Sequence, residues 1–187
     1  MKLRCLVMLL CGLLGVTTTK AQEKEEGQQK MTQEEIAKIM KWSPDSYNSI
    51  KAGEPFPDYV FTDIEGKKVK VSKFKGKYVV IDVWATWCTP CLASIADMEP
   101  KKAELMEKGV VFLYYTGETS KKENWDNMIP GISGEHYRVT AEQWKDLCGK
   151  FGIEGIPFYL IYNQKGELIH QGNSHSAELI SKINSCF

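Results

Sequence analysis

No apolar run in this chain is long enough to cross a bilayer: the longest, Cys5 to Val16, holds 12 residues where about 20 are needed. Neither sign of charge is in excess, with 24 lysines and arginines against 24 aspartates and glutamates, so there is no basic footprint for nucleic acid. Histidine is scarce at three residues, and no second Cys-x-x-Cys or paired histidine accompanies the cysteines at 88 and 91, which withholds the four-ligand clamp of a structural zinc site. Internal repeats, a collagen period and coiled-coil patterning are also missing. What remains is an ordinary globular composition, 43% hydrophobic and 26% charged over 187 residues, enough for one domain with a real core.

The first residues stand apart from that domain. Lys2 and Arg4 precede the apolar run, and Thr19-Lys20-Ala21 offers a small-residue cleavage site, the layout of a secretory signal over residues 1–21. An uncleaved membrane anchor is the other reading, and Leu10 stands before Cys11 where a lipoprotein anchor would want a small residue. Cleavage after Ala21 predicts an exported chain that keeps 21 basic and 24 acidic residues, a net charge of −3, and four cysteines: Cys88, Cys91, Cys148 and Cys186. Outside the cytoplasm such cysteines can form lasting disulfides.

Residues 22–31 are polar and aperiodic, a flexible leader. Thr32 with Glu35 makes a capping-box pattern before Ile36, Ile39 and Met40, predicting a short helix to about residue 42. Residues 22–53 thus form a leader with one helix ahead of a domain at 54–187. Extended segments are expected at 59–63 and 68–71 around the turn Glu65-Gly66, and at 78–84, whose nearly continuous β-branched and aromatic run suits a central strand buried on both faces. A helix follows from 90 to about 108, with Leu92, Ile95, Met98, Leu105 and Met106 on its apolar side and a kink or break at Pro100. Strands at 110–115 and 158–162, a hairpin partner at 168–171, a short extended piece at 136–139 and helices at 123–129, 143–151 and 177–185 complete the pattern, an α/β alternation with a parallel βαβ unit.

The stretch Trp87-Cys88-Thr89-Pro90-Cys91 carries the chemistry. Metal lacks further ligands. A structural staple is weak here, because a bond closing so small a loop removes little entropy from the unfolded chain. A redox dithiol has positional support: the pair lies where a buried strand ends and a helix begins, and unpaired backbone N–H groups there favour a thiolate. Cys88 is then the expected nucleophile and Cys91, one turn further in, the resolving thiol. Asp82, polar in the middle of an apolar strand, is the candidate to take the Cys91 proton, directly or through water; the alternative is a carboxylate that caps a turn or meets solvent. Pro157, just before a β-run, marks a strand start, an edge or a cis turn.

VVIDVWATWCTPC, the later GIPFYLIYNQKGELI and the C-terminal helix together resemble the thioredoxin superfamily over residues 54–187, and within it the exported TlpA/ResA-like branch seen in Bacteroidetes. The resemblance implies a thioredoxin-like fold: a central mixed sheet flanked by helices, an N-terminal hairpin, and an insertion before a cis-proline at Pro157. It implies a catalytic set of Cys88, Cys91 and Asp82, a redox disulfide Cys88–Cys91, and substrate contacts from Trp87, Pro157 and the backbone of Ile156. It further implies a periplasmic thiol-disulfide oxidoreductase without bound cofactor or metal, monomeric, exchanging disulfides with envelope proteins and drawing electrons from an upstream, possibly membrane-bound, donor. Reduction of partners is the expected direction.

Two departures bear on that expectation. Ser94 stands where the branch often has a glutamate, and the dipeptide between the cysteines is Thr-Pro rather than Gly-Pro. Two other readings are a thiol peroxidase, whose Pro-x-x-x-Thr-x-x-Cys loop this chain lacks, and a non-catalytic binding or assembly factor. Cys148 and Cys186 are read first as free thiols, with pairing as the alternative. His136, His170 and His175 are read as surface or packing residues.

Overall fold

The computed structural model describes residues 49–187, which lie in a compact unit, Thr32–Phe187. The expected signal (1–21), leader (22–31) and short helix (32–42) lie outside the described residues. Seven strands form one sheet: β1 (Val60–Asp63), β2 (Lys68–Lys70), β3 (Tyr78–Trp84), β4 (Val110–Thr116), β5 (Glu135–Arg138), β6 (Phe158–Tyr162) and β7 (Leu168–Gly172), in the order β2-β1-β5-β4-β3-β6-β7. The pairs β3/β4 and β4/β5 are parallel, and all others are antiparallel. Four helices cover it: α1 (Thr89–Glu107), α2 (Lys122–Met128), α3 (Ala141–Phe151) and α4 (Ser176–Asn184). This is the mixed α/β, thioredoxin-like architecture expected from the pattern.

The run YVVIDVW explains the centre. β3 is flanked by β4 and β6 and covered on both faces, so neither face needs polar residues, and β-branched side chains suit the pleat. Alternation along it splits the core in two. Val79, Ile81 and Val83 face a cluster with Phe61, Leu147, Phe151 and Phe158, while Val80 and Trp84 face Cys91, Ile95, Met98, Leu105 and Leu179 of α1 and α4. Asp82 shares the parity of Val80 and Trp84 and therefore belongs to the α1 face.

Two expectations about α1 are corrected. The helix continues through Pro100 instead of breaking there. Pro100 and Ala96, whose carbonyl loses its partner, are both exposed, so water can take the place of the missing bond. Met106 is 44% exposed, and the core-facing line is instead Cys91, Ile95, Met98, Lys102 and Leu105. The sequence pattern passes over Lys102 because lysine is almost never fully buried unless paired. α3 begins two residues earlier than expected, at Ala141, where Thr140 and Gln143 form a reciprocal capping box.

β5 and the segment before it fill the space between β4 and β1. Gly134, at φ +137°, passes so close to β4 that a Cβ would lie 2.8 Å from the Phe112 carbonyl oxygen and 2.9 Å from the Tyr114 ring. Gly134→Ala is therefore expected to destabilise the protein by about 1–3 kcal/mol. A lowered midpoint with unchanged slope in chemical denaturation would show this, and an unchanged midpoint would contradict the packing.

Candidate active site

β3 ends at Trp84, and four residues later Cys88 begins α1 as its N-cap. Cys88 is extended (φ −87°, ψ 93°), and its sulfur accepts the Cys91 N–H at 3.2 Å, the place a Ser or Asp oxygen usually takes. The Leu92 N–H bonds the Cys88 carbonyl, and Pro90 occupies the first turn, where its missing N–H is no loss. Backbone amides and the positive helix end thus converge on the Cys88 sulfur. The two cysteines are joined by a disulfide, with Cys91 wholly enclosed and Cys88 only 4% exposed.

The turn between β3 and α1 is held from the side. Thr86 N–H donates to the Ser120 hydroxyl at 3.0 Å; that hydroxyl lies 2.8 Å from Thr116 Oγ1, and Arg138 Nη1 donates to the Ser120 carbonyl. Ser120 is fully buried, a positioning role with no motif to mark it in the sequence. Trp87 projects outward, 61% exposed, its indole N–H reaching Thr119 Oγ1 at 3.3 Å.

Across the disulfide, the Ile156 carbonyl oxygen lies 3.8 Å from Cys88 Sγ, and the Ile156–Pro157 peptide bond is cis. Asn173 donates from its amide to the carbonyls of Gly155 and Pro157, fixing this loop against the end of β7. A groove of about 330 Å³ opens beside it, lined by Pro90, Ser94, Asp97, Pro157, Asn173 and His175. The structure therefore brings Cys88, Cys91, Ile156 and Pro157 together, with Trp87 on the rim.

Asp82 sits on the same face of the sheet. It is flanked in register by Tyr114 of β4 and Tyr159 of β6, and its Oδ1 is buried without a hydrogen-bond partner. Burial pushes the Asp82 carboxyl up to about 8, opposed only partly by the positive charge of Lys102. Ser94, one turn after Cys91, accepts the Tyr159 hydroxyl at 2.7 Å. Among the described residues, no group of three or more His, Cys, Asp or Glu could hold a metal ion. Cys148 lies buried in the other cluster, its thiol pushed up to about 12 by burial. Cys186 follows α4, and both are free thiols. His136 is a packing residue, stacked on Tyr114 with ring centroids 5.0 Å apart.

A cysteine pair at the first turn of a helix, after a central strand and opposite a cis-proline, defines a member of the thioredoxin superfamily. Within it, the chain belongs to the Redoxin family, whose profile matches residues 51–184. It is 27% identical over 124 residues to "Thiol-disulfide oxidoreductase ResA" of Bacillus thuringiensis, covering 65% of this chain and 69% of that one. It is 25% identical over 137 residues to "Thioredoxin-like protein YneN" of Bacillus subtilis, covering 72% and 80%. Two solved structures share its fold at 20% identity. One is the thioredoxin domain of a thiol-disulfide oxidoreductase from Bacteroides vulgatus (TM-score 0.63, covering 71% of this chain and 97% of that one). The other is a thiol:disulfide interchange protein from Bacteroides sp. (TM-score 0.65, covering 73% and 90%).

The raised proton affinity of Asp82 has a thermodynamic sign. An unfolded aspartate titrates at about 4, so between there and about 8 the unfolded chain has released a proton that the folded chain still holds. Stability is full below the unfolded value and falls as pH rises through this window, by up to about 1.4 kcal/mol per pH unit. Asp82→Asn abolishes that dependence, so its stability relative to wild type should grow between pH 5 and pH 8 by roughly 2–4 kcal/mol. Denaturant melts at both pH values check this; an equal difference at the two would contradict it.

Proposed function

We propose that this protein is an exported thiol-disulfide oxidoreductase that reduces disulfides of envelope proteins through the Cys88–Cys91 pair. The observation that carries the reading is the disulfide itself: it sits at a helix N-terminus, one sulfur against a free-edged carbonyl at Ile156 and the other enclosed. The names of the relatives support the same chemistry, and the leading apolar run supports export to the periplasm.

In the reduced protein the Cys88 thiolate, favoured by the amides and dipole of α1, attacks one sulfur of a partner disulfide. The Cys88–partner bond forms as the partner disulfide breaks, and the other partner sulfur leaves as a thiolate that takes a proton. Cys91 then loses its proton to Asp82, directly or through water, and its thiolate attacks Cys88 Sγ. The mixed disulfide breaks, the second partner thiol is released, and two electrons have passed from the dithiol to the partner. A carboxyl pushed to about 8 suits this role, since a proton acceptor works best with an affinity near the ambient pH. An upstream dithiol donor, membrane-bound in this reading, reverses the sequence to restore the thiols. Trp87, Pro157 and the Ile156 backbone form the docking face for an extended partner segment, and the protein acts as a monomer.

Cys88→Ser should reduce turnover in a disulfide-reduction assay to background, whereas Cys91→Ser should accumulate mixed disulfides with envelope partners, visible as reductant-sensitive adducts on gels. Normal turnover by the Cys88 variant would overturn the assignment. Peroxide consumption faster than disulfide exchange would redirect it to a thiol peroxidase, and full activity in vivo of a double Cys→Ser variant to a binding factor.

A further inference from the structure

Lys102 is the feature of the α1 face that the disulfide chemistry leaves unexplained. A lysine only 1% exposed must have its charge met, and here every side of the ammonium is occupied. Nζ donates to Glu99 Oε2 at 2.6 Å and to the Ser133 carbonyl at 3.0 Å, and lies 4.6 Å from the centre of the Tyr114 ring and 5.7 Å from that of Phe112. Tyr114 is also the residue that pairs with Asp82 across β3 and β4, on the same face. One aromatic ring thus has the Asp82 carboxyl along one flank and the Lys102 ammonium over its face.

The segment between α2 and β5 builds the outer wall of this chamber. Glu99 Oε1 accepts the Ser133 N–H at 3.0 Å, Gly134 closes on the Tyr114 ring, and His136 stacks against that ring while its Nε2 lies 2.8 Å from the Ile132 carbonyl. So large a wall around one ammonium is more than a surface ion pair requires.

We propose that Lys102 is a positioning residue for the redox reaction: a fixed, buried counter-charge that keeps the Asp82 carboxylate accessible as a proton acceptor, anchored by Glu99 and Ser133 so that its charge acts on Asp82 from one place. The role in turnover rests on the proton-acceptor reading of Asp82; the electrostatic coupling does not. Lys102 draws Asp82 toward its ionised form, and Asp82 in turn strengthens the hold of Lys102 on its proton, which burial weakens. The other groups acting on Asp82 are neutral: the Tyr114 and Tyr159 hydroxyls, from β4 and β6, are both pushed far above neutrality by burial. Glu99 and Asp82 are the anions that act on Lys102, and His136 on β5 is kept neutral chiefly by burial and further by Lys102. From α4 this face receives Leu179 and Ile183, which carry no charge.

The test is direct titration of the Asp82 carboxyl carbon by NMR in the oxidised full-length mature protein, with Asp82→Asn identifying the resonance. Lys102→Met should raise the midpoint by at least one pH unit, a tenfold loss of acidity, while Lys102→Arg should hold it within a few tenths. Glu99→Gln should move it the opposite way, downward, because the opposing negative charge is gone. Shifts of opposite sign would not arise from loosened packing, and they would carry the alkaline limb of the pH–rate profile for disulfide reduction with them. A midpoint that fails to rise in Lys102→Met overturns the proposal, as does one that fails to fall in Glu99→Gln, the variant that decides if Lys102→Met does not fold. If the midpoints move as expected but Asp82→Asn keeps full turnover, the coupling stands and the proton-acceptor reading falls.

Discussion

A carboxyl group buried in the central strand is the constraint around which this molecule is arranged. β3 has neighbours on both edges and cores on both faces, so Asp82 has no route to bulk water, and its Oδ1 has no partner. Such a group is costly when charged, which biases it toward holding a proton at neutral pH. The disulfide of Cys88 and Cys91 packs in the same cluster. In the proposed cycle this oxidised form follows the transfer of the Cys91 proton, so a protonated Asp82 and a closed disulfide belong to the same step.

The fold's work is to hold that arrangement from several sides. The β3–α1 turn is tied to the end of β4 through Ser120 and Thr116, so the start of α1 is fixed relative to the strand that flanks Asp82. The loop before β6 places the Ile156 carbonyl against Cys88 and is itself tied down by Asn173. The residues before and within β5 seal the far side over Tyr114 and Lys102. Each brace comes from a different part of the sequence, and all meet at the end of the sheet where β3 and β4 finish and β6 begins.

How much of this was readable in the sequence follows from the type of signal. The central strand, the helix start at the cysteines and the oddity of Asp82 are local: an apolar run, a capping position, one polar residue out of pattern. Those were visible. Lys102 was not, although its spacing from Cys91, Ile95, Met98 and Leu105 is that of a core face, because composition assigns lysine to solvent and Met106 to the core. Only the tertiary neighbours, Glu99, the Ser133 carbonyl and the Tyr114 ring, make its burial tolerable, and they come from three segments. Ser120 was hidden for the same reason. Pro100 misled in the opposite direction, since the rule that proline breaks a helix holds only where the freed carbonyl cannot reach water.

Ser94 shows why the charge balance matters. It faces the site one turn after Cys91 and is occupied by the Tyr159 hydroxyl, a neutral pair. No second carboxylate therefore shares the space beneath the cysteines from that position, and the proton affinity there is set by Asp82 alone. Burial by itself would hold that affinity higher still; a cation brought in from the same helix that carries the cysteines opposes it. Because Lys102 and Cys91 are on one continuous helix, and Asp82 and Tyr114 on paired strands, the counter-charge and the thiol keep a common geometry with respect to the carboxyl. The passage of α1 through Pro100 without a break is thus part of the site: a helix that ended there would carry the cysteines and lose the lysine.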